Sequence, residues 1–295
     1  MQHLDKLFFG EIPTDETKSS LVFYSMAERF TPIFGSLDYP DHFGRKDRKI
    51  TKDEWDQIPS TETILLPGSI IKGIAIVHDG VIKILTNEYK SNYPLYTDIC
   101  FLGNISTEEL PERNISLPPT DVILSKLRSQ VDKPYIWGGN SPDPIVEMLQ
   151  YNENPNKDDY DKITLNGFDC SGLLYWATDG YTPRNTSELM NFGECVEIEG
   201  KNTDEILTSL KPLDIIVWQD YGHCMIVLDN DEVIESTVSW QPGEIYTKNN
   251  GVRIRKIGET LEQLIYGTHP RIPKNTYIKK SSPDNTFYIR RGLSI

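Results

Sequence analysis

Gly167-Phe168-Asp169-Cys170-Ser171-Gly172, running on into Leu173-Leu174-Tyr175-Trp176, is the stretch on which the fold turns. Glycine and aspartate close a loop, Asp169 is suited to cap a helix with its side-chain oxygen, and the apolar run behind it reads as a buried helix. Cys170 then stands at a helix N-terminus, where orphan N–H groups and the positive end of the helix dipole stabilise a thiolate. Taken alone, such a cysteine is more often a small core residue than a nucleophile. A partnering base changes that reading, and His223 supplies one in Tyr221-Gly222-His223-Cys224-Met225-Ile226-Val227-Leu228, at the start of an expected strand.

Three strands are expected beyond the helix: Asp214 to Trp218, His223 to Leu228 and Glu232 to Val238, the last two joined by Asp229-Asn230-Asp231. A loop of those three residues sets Leu228 opposite Glu232 and places His223 and Glu235 on one face; a four-residue loop would separate them. Glu235 in an otherwise apolar strand needs a partner, and His223 is the expected one. Cys224 follows His223 and should point to the opposite face. It reads as structural, as do Cys100 and Cys195. Arg253-Ile254-Arg255 suggests one more strand and Thr260 to Tyr266 a short helix.

Ahead of the cysteine, residues 20–110 are dominated by short β-branched runs: Leu21 to Tyr24, Thr63 to Leu66, Ile70 to Val77 and Val81 to Leu85. His78-Asp79-Gly80 is a tight-turn signal between the last two, so they form a hairpin. Several short strands with turn signals predict a small β-barrel, with Tyr39 to Gln57 as a polar loop inserted in it. Pro111, Pro118 and Pro119 mark a boundary. Thr120 or Asp121 caps the helix that follows, with Val122, Ile123, Leu124 and Leu127 at helical spacing. Asp143 to Asn166 is an insertion whose charged core, Asn152 to Lys162, is expected to be an exposed loop able to narrow or cover a cleft.

Bulk properties limit the function. The chain has 295 residues, long enough for two domains, with 38% hydrophobic and 25% charged residues, an ordinary globular composition. Its 30 Lys+Arg against 44 Asp+Glu give a net charge of −14, which argues against nucleic acid and anionic membranes as partners. Four widely spaced cysteines without CxxC spacing disfavour a zinc ribbon or a disulfide framework. Five scattered histidines offer no ligand set, so neither metal nor cofactor is expected. Met1 to Lys6 lacks the pattern of a signal peptide, and a cytoplasmic location is the expectation.

Five motifs occur in the order seen in the NlpC family: Pro134-Tyr135-Ile136-Trp137-Gly138-Gly139, Phe168-Asp169-Cys170-Ser171-Gly172-Leu173, Pro183-Arg184-Asn185-Thr186-Ser187, Leu213-Asp214-Ile215-Ile216 and Gly222-His223. Over roughly residues 119–272 the chain resembles these bacterial cysteine peptidases of cell-wall peptides, also called NlpC/P60. The resemblance implies an α+β fold: an SH3-like β-barrel domain over 1–116, a papain-like catalytic domain over 117–273, and a tail, 274–295, packed on the body. It implies hydrolysis of the γ-D-glutamyl bond to the diamino acid, diaminopimelate or lysine, in peptidoglycan stem peptides. Cys170 is then the nucleophile, His223 the base and Glu235 the orienting residue, where relatives commonly carry His, Asn or Gln. Asp169 and Ser171 would recognise a substrate amine, Tyr135 would bind substrate or the oxyanion, and Arg184 would line the cleft. The rival expectations are a silenced module that only binds wall peptides and an acyltransferase of similar fold.

Overall fold

The structure is a computed structural model, which describes residues 22–78, 80–218, 222–238, 250–266 and 287–293. Asp79, Tyr221 and 274–286 of the expected tail lie outside the described residues.

The first half builds a seven-stranded antiparallel sheet from β1 (Phe23–Met26), β2 (Thr31–Phe34), β3 (Thr61–Leu65), β4 (Ile70–His78), β5 (Val81–Leu85), β6 (Leu95–Asp98) and β7 (Ile105–Ser106). The expected hairpin is β4 and β5, paired from Lys72↔Leu85 to His78↔Val81. The strand order is β3-β2-β6-β5-β4-β1-β7, and among the described residues the outer strands β3 and β7 do not pair, so the expected barrel is not seen to close. Phe23, Ile33, Leu65, Ile71, Ile82, Ile84 and Leu95 form one core of this sheet.

Its second core corrects two expectations. The insertion between β2 and β3 is no plain loop: it forms the turn of helix α1 (Tyr39–His42), with Tyr39 and Phe43 fully buried. The insertion ahead of Cys170, which contains α3 (Tyr160–Ile163), packs against it through Ile145, Met148, Tyr151, Ile163 and Leu165. Residues 153–158 remain mostly exposed, but the ends of the segment are anchored. The Phe34 and Tyr39 rings stack with centroids 3.8 Å apart, and the Tyr151 hydroxyl donates to Asp98 at 2.7 Å. Burial of five apolar residues at about 1.5–3 kcal/mol each explains why this charged stretch docks on the first half instead of hanging over a cleft.

The second half starts with α2 (Thr120–Ser129), whose N-cap position is Pro119, not Thr120 or Asp121. It continues through β8 (Asn140–Ser141), β9 (Gly167–Phe168), α4 (Cys170–Ala177), α5 (Thr186–Leu189), β10 (Glu194–Cys195) and α6 (Thr203–Ser209). Then come β11 (Ile215–Trp218), β12 (His223–Val227), β13 (Glu232–Thr237), β14 (Gly251–Lys256), α7 (Ile257–Tyr266) and β15 (Phe287–Arg291). Their six-stranded antiparallel sheet has the order β10-β15-β11-β12-β13-β14. The end of the expected tail is therefore an inner strand of the sheet, with Ile289 fully buried, and the second domain extends past residue 273.

Period-two alternation sorts this sheet into two faces. Ile215, Val217, Cys224, Ile226 and Ile234 meet Cys170, Leu173, Leu174 and Ala177 of α4. Ile216, Trp218, Met225, Val227, Val233 and Ile289 meet α6 and α7 through Ile206, Ile257, Leu261 and Leu264. Being covered on both sides, the sheet reads as continuous apolar runs, and any charged group inside it needs a built-in partner.

Candidate active site

Asp169 caps α4 as its sequence position suggests: its Oδ1 accepts the Gly172 N–H at 2.6 Å, which leaves Cys170 as the first helical residue. The Pro134–Gly139 motif braces this turn. Phe168 N–H donates to the Pro134 carbonyl and Asp169 N–H to that of Gly139, at 3.2 and 2.9 Å. Gly172 is required by the same contact, since a Cβ there would lie 2.1 Å from the Gly139 oxygen. Tyr135 bridges to Phe168 and is 5% exposed.

Cys170 is also 5% exposed. Its Sγ lies 3.7 Å from Thr186 Oγ1 and 3.5 Å from the Gly222 carbonyl, so the thiol stands near the start of β12 on the α4 face, while His223 projects to the opposite face with Met225 and Val227. Register places Cys224 opposite Val217, on the α4 face, and His223 opposite Trp218. His223 and Glu235 share a face because the loop has three residues, with Leu228 N–H donating to the Glu232 carbonyl at 2.9 Å. Both side chains are fully buried, with His223 Nε2 2.6 Å from Glu235 Oε2.

Two contacts at Glu235 were not foreseen. Its Oε1 accepts from Arg253 Nε at 3.1 Å and Arg255 Nη1 at 3.3 Å. Alternation in Arg253-Ile254-Arg255 sends both arginines to one face of β14, a signal present in the sequence, and Arg253 pairs directly across from Glu235. Three donors on one carboxylate explain how it survives full burial.

Arg184 is bound more tightly than its place in the sequence suggests: it is 4% exposed and forms a bidentate pair with Asp169, Nη1 to Oδ1 at 3.0 Å and Nη2 to Oδ2 at 2.6 Å. Its Nη1 also donates to Ser171 Oγ at 3.0 Å, and its Nε to Thr63 Oγ1 at 3.0 Å and Asn140 Oδ1 at 3.3 Å. Asn140 is itself tied to the backbone of Ile64 in β3, at 3.0 and 2.7 Å. The first sheet thus reaches the loop that holds the nucleophile. Burial alone would lower the Arg184 pKa, yet the Asp169 carboxylate holds it above its ordinary value. Burial pushes the Asp169 carboxyl up against the pull of Arg184, and the charge of Cys170 acts in the same direction as burial.

A cavity of about 410 Å³ lies between the two insertions, lined by Arg48, Lys52, Asn152 and Asp159 among others, and one of about 310 Å³ borders Arg184, Tyr175 and Glu188. Neither is lined by Cys170. Among the described residues no group of three or more His, Cys, Asp and Glu is arranged to hold a metal ion, and no helix is long and apolar enough to cross a membrane.

Residues 132–255 match the NlpC/P60 family. The chain is similar to the murein DD-endopeptidase MepH of Escherichia coli (strain K12), at 27% identity over 135 residues, or 43% of this chain and 39% of that protein. It is also similar to the probable endopeptidase YafL of the same organism, at 30% identity over 77 residues, 25% of this chain and 22% of the relative. The chain thus spans less than half of the length of either relative. Among solved structures, an NlpC/P60 family protein from Bacillus cereus ATCC 10987 overlaps 93% of this chain and 64% of its own, at 14% identity and a TM-score of 0.34. NlpC1 from Trichomonas vaginalis overlaps 92% and 69%, at 13% identity and a TM-score of 0.32.

Proposed function

Taking residues 132–255 as an NlpC/P60 domain, we propose that the chain is a cysteine endopeptidase of peptidoglycan peptides, cleaving the γ-D-glutamyl bond to the diamino acid. The observation that carries the reading is the pairing of a capped helix N-terminus at Cys170 with a buried His223–Glu235 pair at the adjoining strand end.

Glu235 occupies Nε2 of His223, so proton exchange with Cys170 runs through Nδ1. The imidazole and the Cys170 thiol lie on opposite faces of β12 in this structure, so that exchange requires His223 to turn at the strand end, where Gly222 stands at φ +54°. The Cys170 thiolate attacks the carbonyl, and the Cys170 N–H at the helix terminus donates to the developing oxyanion. His223 then protonates the leaving amine and activates the water that hydrolyses the thioester. Glu235 holds the resting imidazole and sets its tautomer, with Arg253 and Arg255 fixing the carboxylate.

Recognition of a free substrate amine by Asp169 and Ser171 belongs to the same proposal, with a constraint: Arg184 already neutralises Asp169, so an ammonium must share that carboxylate. Similarity to MepH, a murein DD-endopeptidase, favours a second bond, the D,D cross-link between stem peptides. The test is digestion of L-Ala-γ-D-Glu-diaminopimelate, its N-acetylated form and a D,D-cross-linked muropeptide dimer, read by mass spectrometry. Release of diaminopimelate from the free tripeptide supports the proposal. Conversion of dimer to monomer with the tripeptides intact moves the assignment to the cross-link. Cleavage of the acetylated form at the same rate removes the role for Asp169 and Ser171.

A further inference from the structure

The mechanism uses one of the two buried thiols and leaves the other unexplained. Cys224 is fully buried on the α4 face of β12, in the same apolar cluster as Cys170 and two residues from the Gly222 carbonyl that Cys170 touches. Register and packing set both thiols on the same side of β12, against α4, with Cys170 at the strand end that Cys224 follows. Interaction with Cys170, followed by burial, pushes the Cys224 thiol well above its ordinary value, so Cys224 keeps its proton. The other two cysteines, Cys100 and Cys195, are exposed and belong to neither wall of this cluster.

We propose that Cys170 and Cys224 form a redox pair, in which hydroperoxides convert the nucleophile to an intrachain disulfide with Cys224 as the resolving thiol. The inference rests on Cys170 being the reactive thiol of the proposed peptidase. In the first step the Cys170 thiolate attacks a peroxide oxygen: an S–O bond forms, the O–O bond breaks, and hydroxide or alkoxide leaves and takes a proton. In the second, the Cys224 sulfur attacks the sulfenic sulfur. An S–S bond forms, the S–O bond breaks, and the hydroxyl leaves with the Cys224 proton as water. The peroxide gains two electrons and the two thiols lose them. Cys170 has a narrow opening to solvent and Cys224 has none, so a resolving thiol held in the same buried cluster reaches the sulfenic acid ahead of a second peroxide. The protein thereby stores its nucleophile reversibly, and a dithiol reductant restores it.

The experiment treats the full chain with hydrogen peroxide and reads intact mass, cross-linked peptides and activity before and after dithiothreitol. The pair predicts a product lighter by two hydrogens, a Cys170–Cys224 peptide, and recovery of most of the starting activity. Cys224→Ala should instead trap sulfenic acid with dimedone and progress to sulfinic acid, which dithiothreitol does not reverse. The Cys100→Ser/Cys195→Ser variant retains both buried thiols and should oxidise like the parent, which keeps the proposal testable if Cys224→Ala fails to fold. Sulfinic acid on Cys170 in the parent protein, or a disulfide through Cys100 or Cys195, overturns the pair. Rapid alkylation of reduced Cys170 by iodoacetamide is scored separately. Its absence refutes the nucleophile reading itself, whereas its presence without the disulfide refutes only the pair.

Discussion

Replacing Arg184 by methionine removes a buried cation while nearly preserving its volume. Five hydrogen bonds vanish, to Thr63, Asn140, Ser171 and both oxygens of Asp169. Asp169 Oδ1 keeps the Gly172 N–H and the Ser171 hydroxyl, but Oδ2 has no other donor among the described contacts. Breaking a buried ion pair from one side costs about 3–5 kcal/mol, more than the pair's net worth, because the remaining charge stays buried and unpaired. At about 2–4 °C per kcal/mol for a domain of this class, melting should fall by about 6–20 °C, read by circular dichroism. Removing both charges in Asp169→Asn/Arg184→Met keeps an N-cap, since asparagine caps as well as aspartate. The double variant should therefore be more stable than Arg184→Met alone. If Arg184→Met melts within about 2 °C of the parent, or if the double variant shows the sum of the two single losses, the reasoning is refuted.

Other predictions follow from individual contacts. Glu235→Gln removes the carboxylate that sets the His223 tautomer, so kcat on the murein tripeptide should fall by roughly 10²–10⁴-fold; a loss under about threefold would remove Glu235 from the mechanism. Gly172→Ala drives a Cβ onto the Gly139 carbonyl and should destabilise by about 3 kcal/mol, measured by urea unfolding, whereas an unchanged midpoint would contradict the close approach. Met148→Ala, at a fully buried position shared by the two insertions, should cost about 2–5 kcal/mol by the same assay, and a neutral result would mean that the insertion is not docked. Asp159, though burial opposes it, is held below the usual carboxylate range by Lys52, Asn156 and Lys162. A depressed native pKa stabilises above the unfolded value and is lost as pH falls through the native one. Hydrogen exchange over residues 145–163 should therefore quicken only below the ordinary carboxylate range, and equal protection at pH 3 and pH 7, values set about one and three units either side of that range, would contradict the pairing.

What could be read from the sequence was what local rules determine. Asp169 caps the helix because aspartate before an apolar run has its oxygen within reach of the third helical N–H. His223 and Glu235 meet because a three-residue loop fixes parity along two strands. The rest depends on contacts far apart in sequence. Nothing near Arg184 in the chain shows that Asp169, Thr63 and Asn140 converge on its guanidinium. Tyr39, Phe43 and Ile163 sit singly among polar residues, and Ile145, Met148 and Leu149, though at helical spacing, stop before the charged run 152–162, so the core the two insertions share is not visible in either alone. The last strand is hidden in a basic tail: Arg290 and Arg291 follow Ile289 directly, and their charges are satisfied by the Phe192 carbonyl and by Asp214. Cys224 turns away from His223, as alternation requires, and that side of β12 is the one that packs with Cys170 against α4.

The most direct test of the central claim is incubation of the purified chain and its Cys170→Ala variant with L-Ala-γ-D-Glu-diaminopimelate, with products identified by mass spectrometry. The account predicts free diaminopimelate and L-Ala-D-Glu from the parent and intact tripeptide from the variant. Cleavage by a folded Cys170→Ala protein, or no cleavage by the folded parent, would contradict it.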